Sequence, residues 1–206
     1  MKITKLLSFA LLAGLIAFSG CKEEDDAVTD SSSIVGTWAG GCEAESNSSP
    51  TTYMSTVITI ASTSFSIVDS MHGADSTCDA TIVNFTQSMD LTYTEGSTGT
   101  DSASGKTYTE LDIVFGASTI TPKTQVQADE FIANSKCGFT DWAVDVAKDI
   151  SGTQGCDAPP SGYAYYMAYI LETNTLYLSN DDTTNTGETA ATRAIAFDLT
   201  QGMTRQ

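Results

Sequence analysis

The feature that most constrains the fold is a two-residue alternation of apolar and polar side chains along most of the chain. Residues 53–60 read YMSTVITI, and residues 107–115 read TYTELDIVF. Successive side chains of a β-strand point to opposite faces of a sheet, so these segments bury one face and expose the other. Short segments of this kind, separated by turns, predict an all-β domain of largely antiparallel strands.

The same pattern extends to most of the remaining sequence. It predicts strands over residues 65–71, 80–93, 118–126, 163–171, 175–178 and 192–199. Residues 128–134 predict a helix of about two turns, whereas residues 141–148 alternate like a strand although their alanines also permit a helix. Residues 95–105, EGSTGTDSASG, predict a loop. Many short strands in one domain are typical of a barrel or a sandwich.

The first twenty residues have the organisation of a bacterial export signal. Lys2 and Lys5 precede an apolar run over residues 6–18, and a small pair, Ser19-Gly20, leads to Cys21. The run is too short for a bilayer of ~30 Å, which takes ~20 residues to cross. Its charged start and small-residue end are typical of a secretory signal. An ordinary cleaved signal followed by a chance cysteine is the alternative.

The segment AFSGC at residues 17–21 resembles the lipobox of bacterial lipoproteins. The resemblance implies that Cys21 becomes the first residue and carries acyl chains such as palmitate. More than one chain is needed for stable attachment, at ~0.8 kcal/mol for each buried methylene. Lysine rather than aspartate directly after the cysteine, at Lys22, resembles the pattern that sorts bacterial lipoproteins to the outer membrane. The acidic run KEEDD that it begins resembles the surface-export tether of some Bacteroidetes lipoproteins, and a solvated spacer is the alternative.

These features divide the chain into three parts. Residues 1–20 are the predicted signal peptide, residues 21–33 a lipidated acidic linker, and residues 34–206 a single β domain. The expected location is the bacterial outer membrane, where the lipid anchor contacts the bilayer and the domain faces the periplasm or the cell surface.

Four cysteines follow Cys21, and an even number in an exported chain predicts two disulfides. They are Cys42, Cys78, Cys137 and Cys156. Of the three pairings that four cysteines allow, Cys42–Cys78 with Cys137–Cys156 is preferred because each closes a local loop. Each bond could stabilise the fold by roughly 3–4 kcal/mol. No pair has the close spacing of a zinc site, so no metal is expected.

The charge of the chain argues against a nucleic-acid partner. The formal net charge is −17 at pH 7, from 26 acidic and 9 basic residues. Such a surface repels phosphate backbones and anionic lipid headgroups. Beyond the linker the acids are scattered, as is typical of a soluble exported domain.

No catalytic pattern emerges from the sequence. The single histidine, His72, lies in SMHGADS and is predicted to occupy a solvent-exposed turn. Neither a G-x-S-x-G elbow nor an H-E-x-x-H motif is present. Asp181 and Asp182 lie in a loop rich in oxygen ligands, but the spacing does not match a calcium loop. The protein is therefore expected to be no enzyme and to carry no cofactor, while a hydrolase would require a serine or threonine beside His72.

The segment IVGTW at residues 34–38 resembles the G-x-W opening of the lipocalins, with Gly36 and Trp38 at the matching positions. In that family the tryptophan plugs the closed end of an eight-stranded barrel, and an arginine near the last strand stacks across it. The only arginines here, Arg193 and Arg205, are the candidates. Such cation–π packing contributes ~0.5–2 kcal/mol.

The order of strands and cysteines also resembles a loosely defined group of lipocalin-like bacterial lipoproteins. The resemblance implies an antiparallel, lipocalin-like β-barrel of about eight strands. A jelly roll or an immunoglobulin-like β-sandwich is the alternative.

One stretch, YAYYMAY, has the composition of a ligand-binding wall. Its alternation places four side chains on one face of a strand: Tyr163, Tyr165, Met167 and Tyr169. One face of a barrel strand points into the lumen, where tyrosine and methionine suit an adaptable apolar cavity. Core packing or exposure on the outer surface are the alternatives.

The leading hypothesis is a lipid-anchored envelope protein that binds a small apolar ligand in its barrel without catalysis. The alternative is a surface interaction module that binds through exposed loops, such as residues 95–105 and 183–189.

Overall fold

The computed structural model describes residues 33–45, 51–156 and 158–206. The predicted signal peptide, Cys21 and the linker before residue 33 lie outside the described residues. Nine strands and one short α-helix make up the regular structure of the described part. The strands are β1 (Gly36–Ala44), β2 (Tyr53–Ile60), β3 (Ser64–Met71), β4 (Phe85–Thr100), β5 (Thr107–Pro122), β6 (Lys148–Asp149), β7 (Ala164–Glu172), β8 (Thr175–Leu178) and β9 (Met203–Arg205), and the helix is α1 (Gln125–Ala133).

The strands close into an antiparallel barrel, as the sequence predicted. Around the barrel the order is β1, β2, β3, β4, β5, β7, β8 and β9, and β9 pairs back to β1 at Trp38 and Ala39. The ninth strand, β6, pairs with β5 beyond the point where β7 leaves it. Closure removes the unpaired sheet edges that a sandwich would leave.

Three sequence predictions about elements were wrong. Residues 118–126 are not a separate strand, because β5 continues to Pro122 through an irregularity opposite Asp90. Residues 95–105 are not simply a loop, because β4 and β5 extend as a long hairpin that turns only between Thr100 and Thr107. Residues 192–199 are not a strand, apart from one bridge between Asn180 and Ala196.

Residues 141–148 were also predicted wrongly, because a tertiary contact overrides their alternation. Trp142 is buried against Phe131 and Phe139, with ring centroids 5.1 Å and 5.6 Å away. The chain then turns at Asp145, whose φ is +58°. Only Lys148–Asp149 pairs as a strand, and the helix begins earlier than predicted, at Gln125 with Thr124 as its N-cap.

Two apolar clusters hold the molecule together. The larger fills the barrel and includes Trp38, Ile58, Leu111 and Leu176, each at most 2% exposed. The smaller lies at the end of β5 and joins Ile120 to the segment that we call the lid, residues 123–156. The lid contains α1, Trp142 and the start of the connection to β7.

Both predicted disulfides are confirmed. Cys42–Cys78 ties the outer side of β1 to the loop after β3, and Cys137–Cys156 closes the lid on itself. Neither disulfide joins β9 to β1, so both stabilise the fold in addition to the strand pairing that closes the barrel.

Candidate ligand site in the barrel interior

The end of the barrel where β1 begins is closed by Trp38. Its side chain is fully buried, and the indole Nε1 donates to the Ile34 carbonyl at 2.7 Å. The Arg205 guanidinium lies 4.3 Å from the centre of the Trp38 rings and donates to the carbonyls of Ser33 and Val35. Arg205, and not Arg193, therefore covers Trp38, while Gly36 at φ +146° leads the chain into β1.

The opposite end of the barrel, which we call the mouth, carries polar side chains on its inner face. Thr56, Asp69 and Gln87 lie side by side on β2, β3 and β4, because the register pairs Thr56 with Asp69 and Asp69 with Gln87. We call these three residues the polar belt. One inward row below it, toward Trp38, the same strands carry Ile58, Ile67 and Met89. The belt therefore lies directly above the apolar barrel core.

The inward-facing row above the belt, at the mouth, combines apolar side chains with one acidic side chain. It consists of Met54, Met71 and Phe85 on β2, β3 and β4, with Glu43 opposite Met54 on β1. The register of β1 shifts between Ala39 and Cys42, where Gly40 and Gly41 form a bulge. The extra residue turns Glu43 inward and Cys42 outward to its disulfide.

Asp69 is the most buried acid of this region, at 7% exposure. Its Oδ1 accepts a hydrogen bond of 2.7 Å from the Thr56 hydroxyl. Burial in the barrel wall is the largest influence on this carboxyl, and the negative charge of Glu45 adds to it. Together they raise the pKa of Asp69 to about 6, against the lowering effect of the Thr56 hydrogen bond.

Glu43 presents a second carboxyl to the mouth. Its Oε2 is buried and has no hydrogen-bond partner among the described residues. Burial, and then the charge of Asp198, raise the pKa of Glu43 to about 7. A carboxylate is acceptor-only when ionised, so this oxygen needs a donor that the described residues do not supply.

Ser118 adds an orphaned hydroxyl to the inner wall. It lies opposite Met89 and diagonally across from Gln87, on the inward face of β5. The residue is fully buried, yet its Oγ has no hydrogen-bond partner among the described residues. An unpaired buried hydroxyl is destabilising by about 1–3 kcal/mol.

The tyrosine face of β7 points into the barrel. Tyr165, Met167 and Tyr169 belong to the barrel core, and Tyr163 packs at its margin against Phe115, with centroids 6.1 Å apart. The Tyr169 hydroxyl donates to Glu95 at 2.7 Å. Burial raises the pKa of both Tyr165 and Tyr169, so both hydroxyls stay protonated at neutral pH.

The lid packs against the β4 and β5 side of the mouth. Phe85 on the mouth row packs edge-on against Phe131 of α1, with centroids 5.2 Å apart. Ile120, opposite Gln87, packs into the same cluster as Phe131 and Trp142. The lid therefore lies over the side of the mouth that β4 and β5 form.

His72 is not exposed as predicted; it is only 2% exposed. Its Nε2 lies 2.9 Å from the Ser55 Oγ, and its Nδ1 lies 2.9 Å from the Ile82 carbonyl oxygen. Because a carbonyl only accepts, Nδ1 carries a proton, and the neutral ring then accepts at Nε2 from Ser55. The ring thus joins the outer face of β2 to the loop that follows β3.

Arg193 anchors the long segment between β8 and β9 to the outside of the barrel. Its Nη2 lies 2.7 Å from the Asp112 carboxylate, and its Nη1 donates to the carbonyls of Leu111 and Met167. The guanidinium also lies 5.5 Å from the centre of the Tyr166 ring. These contacts hold residue 193 against β5 and β7.

Two kinds of feature are absent from the part of the chain that the structure describes. No group of three histidine, cysteine or acidic residues there is arranged to hold a metal ion. None of the helices in these ranges is long and apolar enough to cross a membrane.

The polar belt was missed by sequence reasoning although the sequence carries its signal. Thr56 and Asp69 each interrupt an otherwise apolar face, between Met54 and Ile58 in one strand and between Ile67 and Met71 in the next. A polar side chain on the buried face of a strand is more informative than one on the exposed face.

No family model matches the chain, and no curated protein matches it.

Proposed function

We propose that this protein is an exported, lipid-anchored barrel that binds a small, largely apolar ligand inside the barrel and catalyses no reaction. The ligand would lie with its apolar part on the Ile58–Ile67–Met89 row and its polar group at the belt. Tyr163 and Tyr165 would form the wall on the β7 side, since their rings combine apolar faces with polar tips. The lid would separate the bound ligand from water.

The observation that carries this proposal is the pair of orphaned polar atoms on the inner wall, Ser118 Oγ and Glu43 Oε2. Buried polar atoms in proteins are satisfied by protein, water or a ligand, and exceptions are few. Small-molecule sites combine an apolar lining with a few placed polar groups, which is the composition found between the belt and the row below it.

Titration with 1-N-phenylnaphthylamine, a neutral apolar fluorophore, tests the site. We expect saturable fluorescence enhancement with one probe per chain. Ser118→Leu should abolish it, because the larger side chain fills the inner wall beside Gln87. Ser88→Leu is the matched control, because Ser88 precedes Met89 on β4 and points outward. Absence of binding in the wild type, or equal binding by a folded Ser118→Leu variant, would refute the proposal.

The lipid anchor has its own test. Export of the full chain in a bacterial host with radiolabelled palmitate should label the wild type and leave Cys21→Ala unlabelled and released from the membrane fraction. Membrane association of an unlabelled wild-type chain would contradict the anchor while leaving the ligand site untouched.

The Ser55–His72 contact favours a second candidate, a serine hydrolase. The hydroxyl and the imidazole are within the reach that nucleophile activation needs. However, His72 is almost fully buried, and a backbone carbonyl replaces the carboxylate that orients the base in the usual triad. A fluorophosphonate probe decides between the two: it should not label Ser55, and labelling that His72→Gln removes would establish the hydrolase.

A further inference from the structure

We propose that the polar group of the ligand is a protonated amine, held at the polar belt by Asp69 with Glu43 as the outer carboxylate. This inference rests on the proposed function and specifies the chemistry of the same site. A primary ammonium group has three hydrogen-bond donors and a positive charge, and the inner wall offers acceptors and negative charge.

The charged side chains that the register places inward at the belt and on the mouth row, Asp69 and Glu43, are both acidic. Asp69 and Glu43 point inward, and Glu45 and Asp198 lie close enough to influence them. The lid carries Lys123, Lys136 and Lys148, of which Lys123 pairs with Asp145 and Lys148 with Asp141. Lys106 pairs with Glu172, Arg193 with Asp112, and Arg205 lies over Trp38 at the closed end. A cationic group at the belt would therefore meet Asp69, a carboxylate that forms no ion pair among the described residues.

Asp69 is already oriented for such a group. The Thr56 hydroxyl donates to one of its oxygens and fixes the plane of the carboxyl. Among the described residues no lysine or arginine forms an ion pair with it. A buried carboxylate without a counter-charge is costly, and a hydrogen-bonded ammonium would offset that cost.

A second, independent observation points to a donor at this place. Ser118 Oγ is fully buried, points into the barrel beside Gln87 and has no partner in the described residues. Its hydroxyl faces the barrel interior on β5, two strands from Asp69 on β3, and can accept from a donor group of the ligand there. Glu43 Oε2, buried and unpaired at the mouth row, offers a further acceptor.

The same arrangement disfavours fatty acids. A ligand carboxylate at the belt would face Asp69 and Glu43 with no cation between them. Like charges brought together in a region of low dielectric repel strongly. An alkylamine should therefore bind more tightly than an alkanol of equal length, and a fatty acid should bind most weakly.

The experiment compares decylamine, decanol and decanoate as competitors for bound 1-N-phenylnaphthylamine. At about pH 8 the amine is protonated and Asp69 is ionised. We expect decylamine to bind at least about tenfold more tightly than decanol, and decanoate more weakly than either. Equal or tighter binding of decanoate would overturn this inference and leave the proposed function standing. Binding of none of the three, and of no probe, would overturn both.

Variants then assign the preference to the belt. Asp69→Asn should lower decylamine affinity about tenfold and leave decanol affinity unchanged. Asp90→Asn, on the exposed face of β4, is the matched control and should change neither affinity. Ser118→Ala gives a second variant with little risk to folding, and it should weaken decylamine alone by a few-fold. An unchanged amine preference in both folded variants, Asp69→Asn and Ser118→Ala, would contradict the assignment.

Discussion

At the scale of single residues, both the proposed ligand site and the expected pH dependence of stability depend on Asp69. An apolar side chain in place of Asp69 would make the fold more stable. The burial of this acid therefore favours a role in binding over a role in core packing. The side chains that face it are Thr56, Gln87 and, at the mouth, Glu45, none of which is basic.

The stability of the protein should fall as pH rises through about 6. The folded state raises the pKa of Asp69 from 3.8 to about 6, so the native protein binds a proton more tightly than the unfolded chain does. Stability is then greatest below the unfolded pKa and decreases between the two values. Urea unfolding between about pH 4.5 and 8 measures this slope.

Asp69→Asn should remove the part of that slope that Asp69 contributes, leave the part that the raised pKa of Glu43 contributes, and stabilise the protein at about pH 8 by up to ~3 kcal/mol, since each unit of pKa shift corresponds to ~1.4 kcal/mol. Asp90→Asn should leave the slope in place. A variant Asp69→Asn that is less stable than the wild type at about pH 8 would show that the charged form is favoured in the fold, contrary to the burial argument.

The closed end depends on Arg205. Arg205→Ala should destabilise the protein by about 1–3 kcal/mol, because it removes the cation–π contact with Trp38 and two hydrogen bonds to carbonyls. Lys136→Ala, in the 3₁₀ turn after α1, is a control for loss of one positive charge. Equal unfolding free energies for the two variants in urea would refute a special role for Arg205.

At the scale of elements, the alternation of apolar and polar side chains predicted a strand wherever it placed the apolar residues on one face. It predicted β2, β3 and β7 closely, because their apolar faces pack directly into the barrel. It failed for residues 141–148 and 192–199, where Trp142 packs against Phe131 and Arg193 is held against β5 and β7. Such long-range contacts leave no periodic signal in the sequence.

The residues of the candidate site were likewise predicted only in part. The alternation of YAYYMAY predicted that Tyr163, Tyr165, Met167 and Tyr169 share one face of a strand, and it left open whether that face lines a cavity, packs in the core or lies outside. The polar belt was not predicted, because its members come from three strands and only the register brings them into one row. The orphaned Ser118 Oγ has no sequence signal at all.

The Cys137–Cys156 disulfide should slow the release of a bound ligand, whereas the Cys42–Cys78 disulfide should not. Replacing Cys137 and Cys156 by serine should lower the free energy of unfolding by roughly 3 kcal/mol. It should also speed dissociation of bound 1-N-phenylnaphthylamine, because the lid loses its cross-link over the mouth. Replacing Cys42 and Cys78 is the matched control. A similar loss of stability with an unchanged dissociation rate is expected there, and equal dissociation rates in the two variants would contradict the role of the lid.

At the scale of the whole molecule, the barrel is plugged at one end by Trp38 and Arg205. The lid packs against the β4 and β5 side of the other end, and the polar belt lies between the two. The net charge of −17 would also concentrate cations near the surface and so favour the approach of a cationic ligand.

The most direct test of the central claim follows the methionine methyl groups by NMR during titration with decylamine. Met54 and Met71 lie on the mouth row and Met89 just below the belt, whereas Met203 on β9 pairs with Leu176 on the other side of the barrel. We expect saturable shifts of Met54, Met71 and Met89, with Met203 unchanged. Shifts absent from these three methyls at saturation would contradict binding inside the barrel.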